Sequence, residues 1–152
     1  MPQSYVTTTY QIVFATKGRR PTLSKGYREA LFGYLKVVGD NTGCAVFQVG
    51  GVADHVHIVL HLHPSCSMAE VVKKIKLAAH HFIERERKHF PHFNGWQRGY
   101  AAITYQRKDR PRLIRYVERQ EIHHLKDEMK ASDELRMILE KHQVLIDERY
   151  FE

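Results

Sequence analysis

The spacing of hydrophobic positions switches several times between strand and helix periods. Residues 5–15, YVTTTYQIVFA, are mostly β-branched or aromatic and predict a strand. GRRPTL interrupts it. Ser24 stands where a helix cap belongs, before apolar positions at Ala30, Leu31, Tyr34, Leu35 and Val38, which predict a helix over 25–39. CAVFQVGG and DHVHIVLHLH predict two strands of a hairpin within 44–63. Ser67, with Glu70 three residues on, predicts a capped helix running to about Lys88. Its apolar stripe is Val71, Ile75, Ala78, Ala79, Phe82 and Ile83. YAAITYQ, 100–106, predicts a fourth strand. A long helix follows over 109–130, with Pro111 in its first turn, then a last helix from about Ser132 to His142 and an extended tail.

The order β-α-β-β-α-β predicts an α+β, ferredoxin-like domain spanning 1–152. It would hold a four-stranded antiparallel sheet with helices on one face, plus further C-terminal helices. That frame serves many functions, so side chains must decide the chemistry.

Composition narrows the choice. Hydrophobic residues make up 43% of the chain, enough for a core and too many for a disordered polyelectrolyte. No apolar run is long enough to span a membrane, and the start carries no secretion signal. With only Cys44 and Cys66 and no such signal, reduced thiols and a cytoplasmic location are expected. The formal charge of +7 favours a polyanionic partner. Lys73, Lys74 and Lys76 on one helix, and Arg107, Lys108, Arg112, Arg115 and Arg119 around the next, are the candidates to neutralise phosphates. Trp96, Tyr100 and Tyr105 are candidates to stack an unpaired base, although core packing is the commoner role for such rings.

The histidines carry the sharpest signal. Strand alternation puts Asp54, Val56, Ile58, Leu60 and Leu62 on one side, and His55, His57, Val59, His61 and His63 on the other. Three readings follow. The histidines line a solvated sheet face; or they form a nucleotide-hydrolase triad; or two of them hold a metal. The triad fails at Val59, which has no lone pair. Two parallel imidazoles suit two adjacent coordination positions. The helix over 109–130 offers Tyr116 and Gln120, four apart and so neighbours on one face, while Ile114, Val117 and Leu125 anchor another.

DHVHIVL resembles the His-hydrophobe-His motif of the HUH nucleases. RYVERQEIHH is similar to the tyrosine helix of the single-tyrosine HUH transposases, the insertion-sequence-two-hundred-like enzymes and their repeat-associated relatives. WQRGYAAITY and DERYFE resemble their approach to the last strand and their tail. The resemblance covers nearly the whole chain. Two stretches depart from it, KKIKLAAHHFI and the unusually basic TYQRKDRPRL.

The resemblance implies that Tyr116 is the nucleophile and that His55, His57 and Gln120 bind Mg²⁺ or Mn²⁺. It implies cleavage of single-stranded, hairpin-bearing DNA through a 5′-phosphotyrosine. It further implies a homodimer in which Tyr116 of one subunit serves the histidines of the other. His123 or His124 is an open candidate to receive the phenol proton. The competing classes are a non-catalytic nucleic-acid-binding module on the same frame and a metal-dependent nucleotide hydrolase.

Overall fold

The computed structural model describes residues 4–121 and 131–144. Four strands, β1 (Tyr10–Ala15), β2 (Ala45–Val52), β3 (His55–His61) and β4 (Ala101–Thr104), form one sheet in the order β2-β3-β1-β4. Every neighbouring pair is antiparallel. Helices α1 (Lys25–Asn41) and α2 (Met68–Arg85) connect them in the ferredoxin-like order, followed by α3 (Arg110–Glu118) and α4 (Ala131–Lys141).

Alternation along the strands separates two cores. Ile12, Phe14, Val56, Ile58 and Leu60 face α1 and α2, where they meet Leu31, Leu35, Val72 and Ile75. The opposite face is also covered. Val59 packs with Leu113 and Val117 of α3, and Val13, Ala101 and Ile103 pack with Leu135, Ile138 and Leu139 of α4. His55 and His57 therefore point into an interior, and the solvated-face reading fails.

Several boundaries differ from those expected. β1 starts at Tyr10 and β4 covers four residues, because strand pairing and not propensity sets their lengths. Ser67 does cap α2, accepting from the Glu70 backbone N–H at 3.1 Å. Ser24 precedes α1 with extended dihedrals but makes no side-chain cap bond. The long helix over 109–130 is interrupted: α3 stops at Glu118, and Arg119 leaves helical geometry before Gln120 and Glu121. Leu125, His123, His124 and the DERYFE tail lie outside the described residues.

Gly50 governs how α3 seats on the sheet. A Cβ there would stand 2.3 Å from the Val117 carbonyl oxygen, so only glycine admits the helix backbone this closely. Gly50→Ala is expected to cost about 1–3 kcal/mol through overpacking. Gly33→Ala, inside α1 with nothing within 4 Å of the added carbon, is expected to stabilise by about 0.5–1 kcal/mol. Urea unfolding of both variants checks the contrast, and equal effects would contradict it.

Candidate active site

Adjacent β3 positions one pleat apart bring His55 and His57 side by side, their ring centroids 4.8 Å apart. Each ring is fixed through Nδ1, and both Nε2 atoms turn toward the same carboxylate oxygen. His55 Nδ1 donates to Asp54 Oδ1 at 2.8 Å. His57 Nδ1 donates to Gln11 Oε1 at 2.7 Å, and Gln11 in turn donates from Nε2 to the Tyr105 hydroxyl at 2.8 Å. Oriented imidazoles of this kind are what metal sites use to hold ring and tautomer.

Two further groups meet the Nε2 atoms, and a phenol joins them through Glu134. Gln120 Oε1 lies 3.2 Å from His55 Nε2. Glu134 of α4 places Oε1 at 3.2 Å from His55 Nε2 and 3.1 Å from His57 Nε2. Its other oxygen accepts from Gln120 Nε2 at 3.1 Å and from the Tyr116 hydroxyl. The Tyr116 ring stands 6.2 Å from that of His57. Nucleophile candidate, imidazoles, amide and carboxylate thus converge within one chain.

The electrostatics follow from burial and from Glu134. Burial alone would lower the pKa of His55, but the hydrogen bonds its ring donates to the Asp54 and Glu134 carboxylates, with their negative charge, outweigh it and raise the pKa to about 9. The Tyr116 phenol is pushed well above its ordinary value, first by desolvation and then by the negative charge of Glu134. A buried carboxylate is costly unless compensated. Glu134, 1% exposed, is compensated here by protons donated from several sides.

The donor set fits a divalent cation. Ligand atoms of His55, His57 and Glu134 all lie within 4.8 Å of one another. Glu134 Oε1 lies 3.1–3.2 Å from both imidazole nitrogens, close to the separation of neighbouring ligands around a divalent cation. Two imidazole nitrogens with a carboxylate oxygen are a donor set that several divalent cations take.

The sequence-derived candidates divide. His55, His57, Tyr116 and Gln120 come together. His61 and His63 do not join them: His61 Nδ1 accepts from the Thr8 backbone N–H at 3.0 Å, and His63 is exposed beside Ser65. Asp54 does not follow strand alternation because it lies in the β2–β3 turn, which turns its carboxylate back to His55. Lys73 and Lys74 are exposed on α2, whereas Lys76 is half-buried and donates to the Gln97 and Gly99 carbonyls. Lys76 therefore shapes the 96–100 loop. A groove of about 610 Å³ runs along that loop, lined by Lys73, His80, Arg98 and Tyr100 among others. Arg107, Lys108, Arg112, Arg115 and Arg119 are exposed on and around α3, on the opposite side of the sheet from α2. Trp96 packs edge-on against Phe14 with centroids 4.9 Å apart and donates from Nε1 to the Lys76 carbonyl, which makes it chiefly a core residue.

α3 lies on its own chain's β2 and β3, through Leu113 and Val117 against Val59, and it carries Tyr116 to its own histidines. Arg28 supports that seating. Its buried guanidinium donates twice to the Leu23 carbonyl and once to Glu121, directly after Gln120.

Gln11 and Glu134 are the site residues that sequence reasoning missed. A carboxylate on the apolar stripe of α4, four residues before Ile138 and beside Leu135, is the signal that points to Glu134.

Comparison with known proteins gives the family: the sequence profile of the IS200-like transposases matches residues 4–120, and the chain belongs to that family. Two solved structures share its fold. One is a candidate transposase from Deinococcus radiodurans R1, 23% identical, with a TM-score of 0.63, covering 79% of this chain and 95% of its own. The other is a REP-associated tyrosine transposase bound to a REP hairpin, 16% identical, with a TM-score of 0.58, covering 82% of this chain and 73% of its own. No curated protein matches the chain. α4 and Glu134 fall beyond the residues that the family profile matches.

Proposed function

We propose that this chain cuts and rejoins single-stranded DNA by transesterification at Tyr116, with Mg²⁺ or Mn²⁺ held by His55, His57, Gln120 and Glu134. The observation that carries the reading is the convergence of a helical phenol on a buried His-His-Glu cluster in a chain of the IS200-like transposase family.

The Tyr116 oxygen attacks a backbone phosphorus and loses its proton as the bond to the strand's O3′ breaks. The products are a 5′-phosphotyrosine and a free 3′-hydroxyl. A second 3′-hydroxyl then displaces the tyrosine oxygen, so one phosphoester is exchanged for another and no ATP is consumed. Even a phenol of ordinary pKa is ionised about one part in a thousand at pH 7, a cost of about 4 kcal/mol, and burial beside Glu134 makes the cost for Tyr116 larger. A divalent cation held there would supply charge stabilisation at the phosphate, which would offset that cost. His55 and His57, fixed by Asp54 and Gln11, would hold it, and α3 keeps the Tyr116 phenol beside them.

The strand's backbone is proposed to lie over Arg107, Lys108, Arg112, Arg115 and Arg119, with Lys73 and Lys74 gripping a second stretch across the α2 groove. Because one relative is bound to a REP hairpin, we extend a hairpin-bearing substrate to this chain. A homodimer is part of the proposal, each subunit completing its own site. Among the described residues no helix is long and apolar enough to cross a membrane.

Incubation with a labelled single strand and Mn²⁺, followed by denaturation, tests the reading. The expected result is a protein-linked band that a chelator abolishes. Binding without such a band would favour a non-catalytic module, and release of mononucleotides would favour a hydrolase.

A further inference from the structure

A cavity of about 400 Å³ opens between α3 and α4, with the Tyr116 ring in one wall and Gln11 at its floor. Nothing in the cleavage chemistry described above uses it. We propose that this cavity receives the base of the nucleotide immediately 3′ to the cleaved phosphodiester, and so makes α4 a determinant of where the strand is cut. The inference rests on Tyr116 being the nucleophile.

The stereochemistry of attack selects that nucleotide over its 5′ neighbour. Attacking and leaving oxygens lie roughly opposite each other across phosphorus. The 5′ nucleoside departs on O3′, on the far side from the phenol. The 3′ nucleoside is joined through O5′, which projects sideways from that axis, and it stays bonded to the tyrosine after cleavage. Its base must therefore lie beside the Tyr116 ring.

The walls suit a flat ring with apolar faces and a polar edge. Leu113, Met137 and Ile138 give apolar surface. Tyr105 and His142, with centroids 4.8 Å apart, give aromatic surface. Arg112 and Lys141 border the same cavity and carry the charge that a strand phosphate requires. Met137, 48% exposed, presents apolar surface at the mouth of the cavity that a bound ring would cover. Met137, Ile138 and Lys141 in its wall belong to α4, which lies outside the part of the chain that the family profile matches.

The test uses a labelled, hairpin-bearing single strand from the DNA that flanks the chain's own gene, with the cut located by the length of the released 3′-hydroxyl fragment. Strands are then made abasic at the position just 3′ or just 5′ of the cut. With the unaltered protein, loss of the 3′ base is expected to lower adduct formation at subsaturating strand by at least about fivefold, as removal of a stacking contact does, and loss of the 5′ base much less. Met137→Trp fills the cavity. It is expected to reduce adduct formation on the intact strand by a similar factor and to leave the 3′-abasic strand at the unaltered protein's level. Equal sensitivity to the two abasic positions, or an equal loss for Met137→Trp on intact and 3′-abasic strands, would overturn the assignment of the cavity while leaving the nucleophile in place. If no strand forms an adduct with the unaltered protein, the reading of Tyr116 falls and the cavity's role falls with it.

Discussion

Tyr116→Phe abolishes the covalent protein–DNA adduct and leaves the fold and the affinity for DNA in place. The change removes one oxygen and keeps the ring beside His57. Its hydroxyl donates to Glu134, but that carboxylate retains Gln120 and both imidazoles, so the stability change is expected near 1 kcal/mol. No other nucleophile takes over at a comparable rate, and the drop in cleavage is expected to exceed about a thousandfold. Tyr105→Phe is the control. Its hydroxyl accepts from Gln11, which holds His57, so the expected loss is small by comparison and acts through positioning. A strong adduct from Tyr116→Phe together with none from Tyr105→Phe would mean that the roles are reversed.

His57→Ala is expected to lower Mn²⁺ affinity by more than about a hundredfold, the upper end of what disturbing a ligand's supporting partner costs. Cleavage falls with it. Glu134→Gln keeps the size of the side chain but removes its charge, and is expected to weaken Mn²⁺ binding as well. His63→Ala provides the comparison, since His63 lies exposed beside Ser65 and away from the cluster. Calorimetric titration of the variants with Mn²⁺ reads this directly. Unchanged affinity in both His57→Ala and Glu134→Gln would remove the metal from the account.

Much of this arrangement was legible in the sequence, and the rest was not for identifiable reasons. Period-two alternation from His55 to His61 gives the shared face of the imidazoles, and period 3.6 gives the neighbourhood of Tyr116 and Gln120. Both are local properties, so they survive folding. What covers the histidine face is not local. Gly50 reads in sequence only as part of a strand's glycine end, yet its role is to let Val117 approach from another element. The break at Arg119 has no proline or glycine to announce it. Glu134 joins the site from seventy-seven positions beyond His57, and its chemistry becomes visible only when its helix is seen to bury that face. Leu113 and Val117 seat α3 on the sheet of the same chain, a long-range contact that no local pattern announces.

That seating has a consequence for mixed populations. If each chain completes its own site, Tyr116→Phe and His55→Ala variants mixed under exchanging conditions regain no cleavage, and recovered activity would restore the shared arrangement.

The most direct measurement is to digest the trapped adduct and locate the nucleotide by tandem mass spectrometry. The account requires a 5′-phosphate ester on the oxygen of Tyr116, formed with Mn²⁺ and absent with chelator. A phosphoester on Tyr105 or on a histidine, or a strand cut with no protein attached, would contradict it.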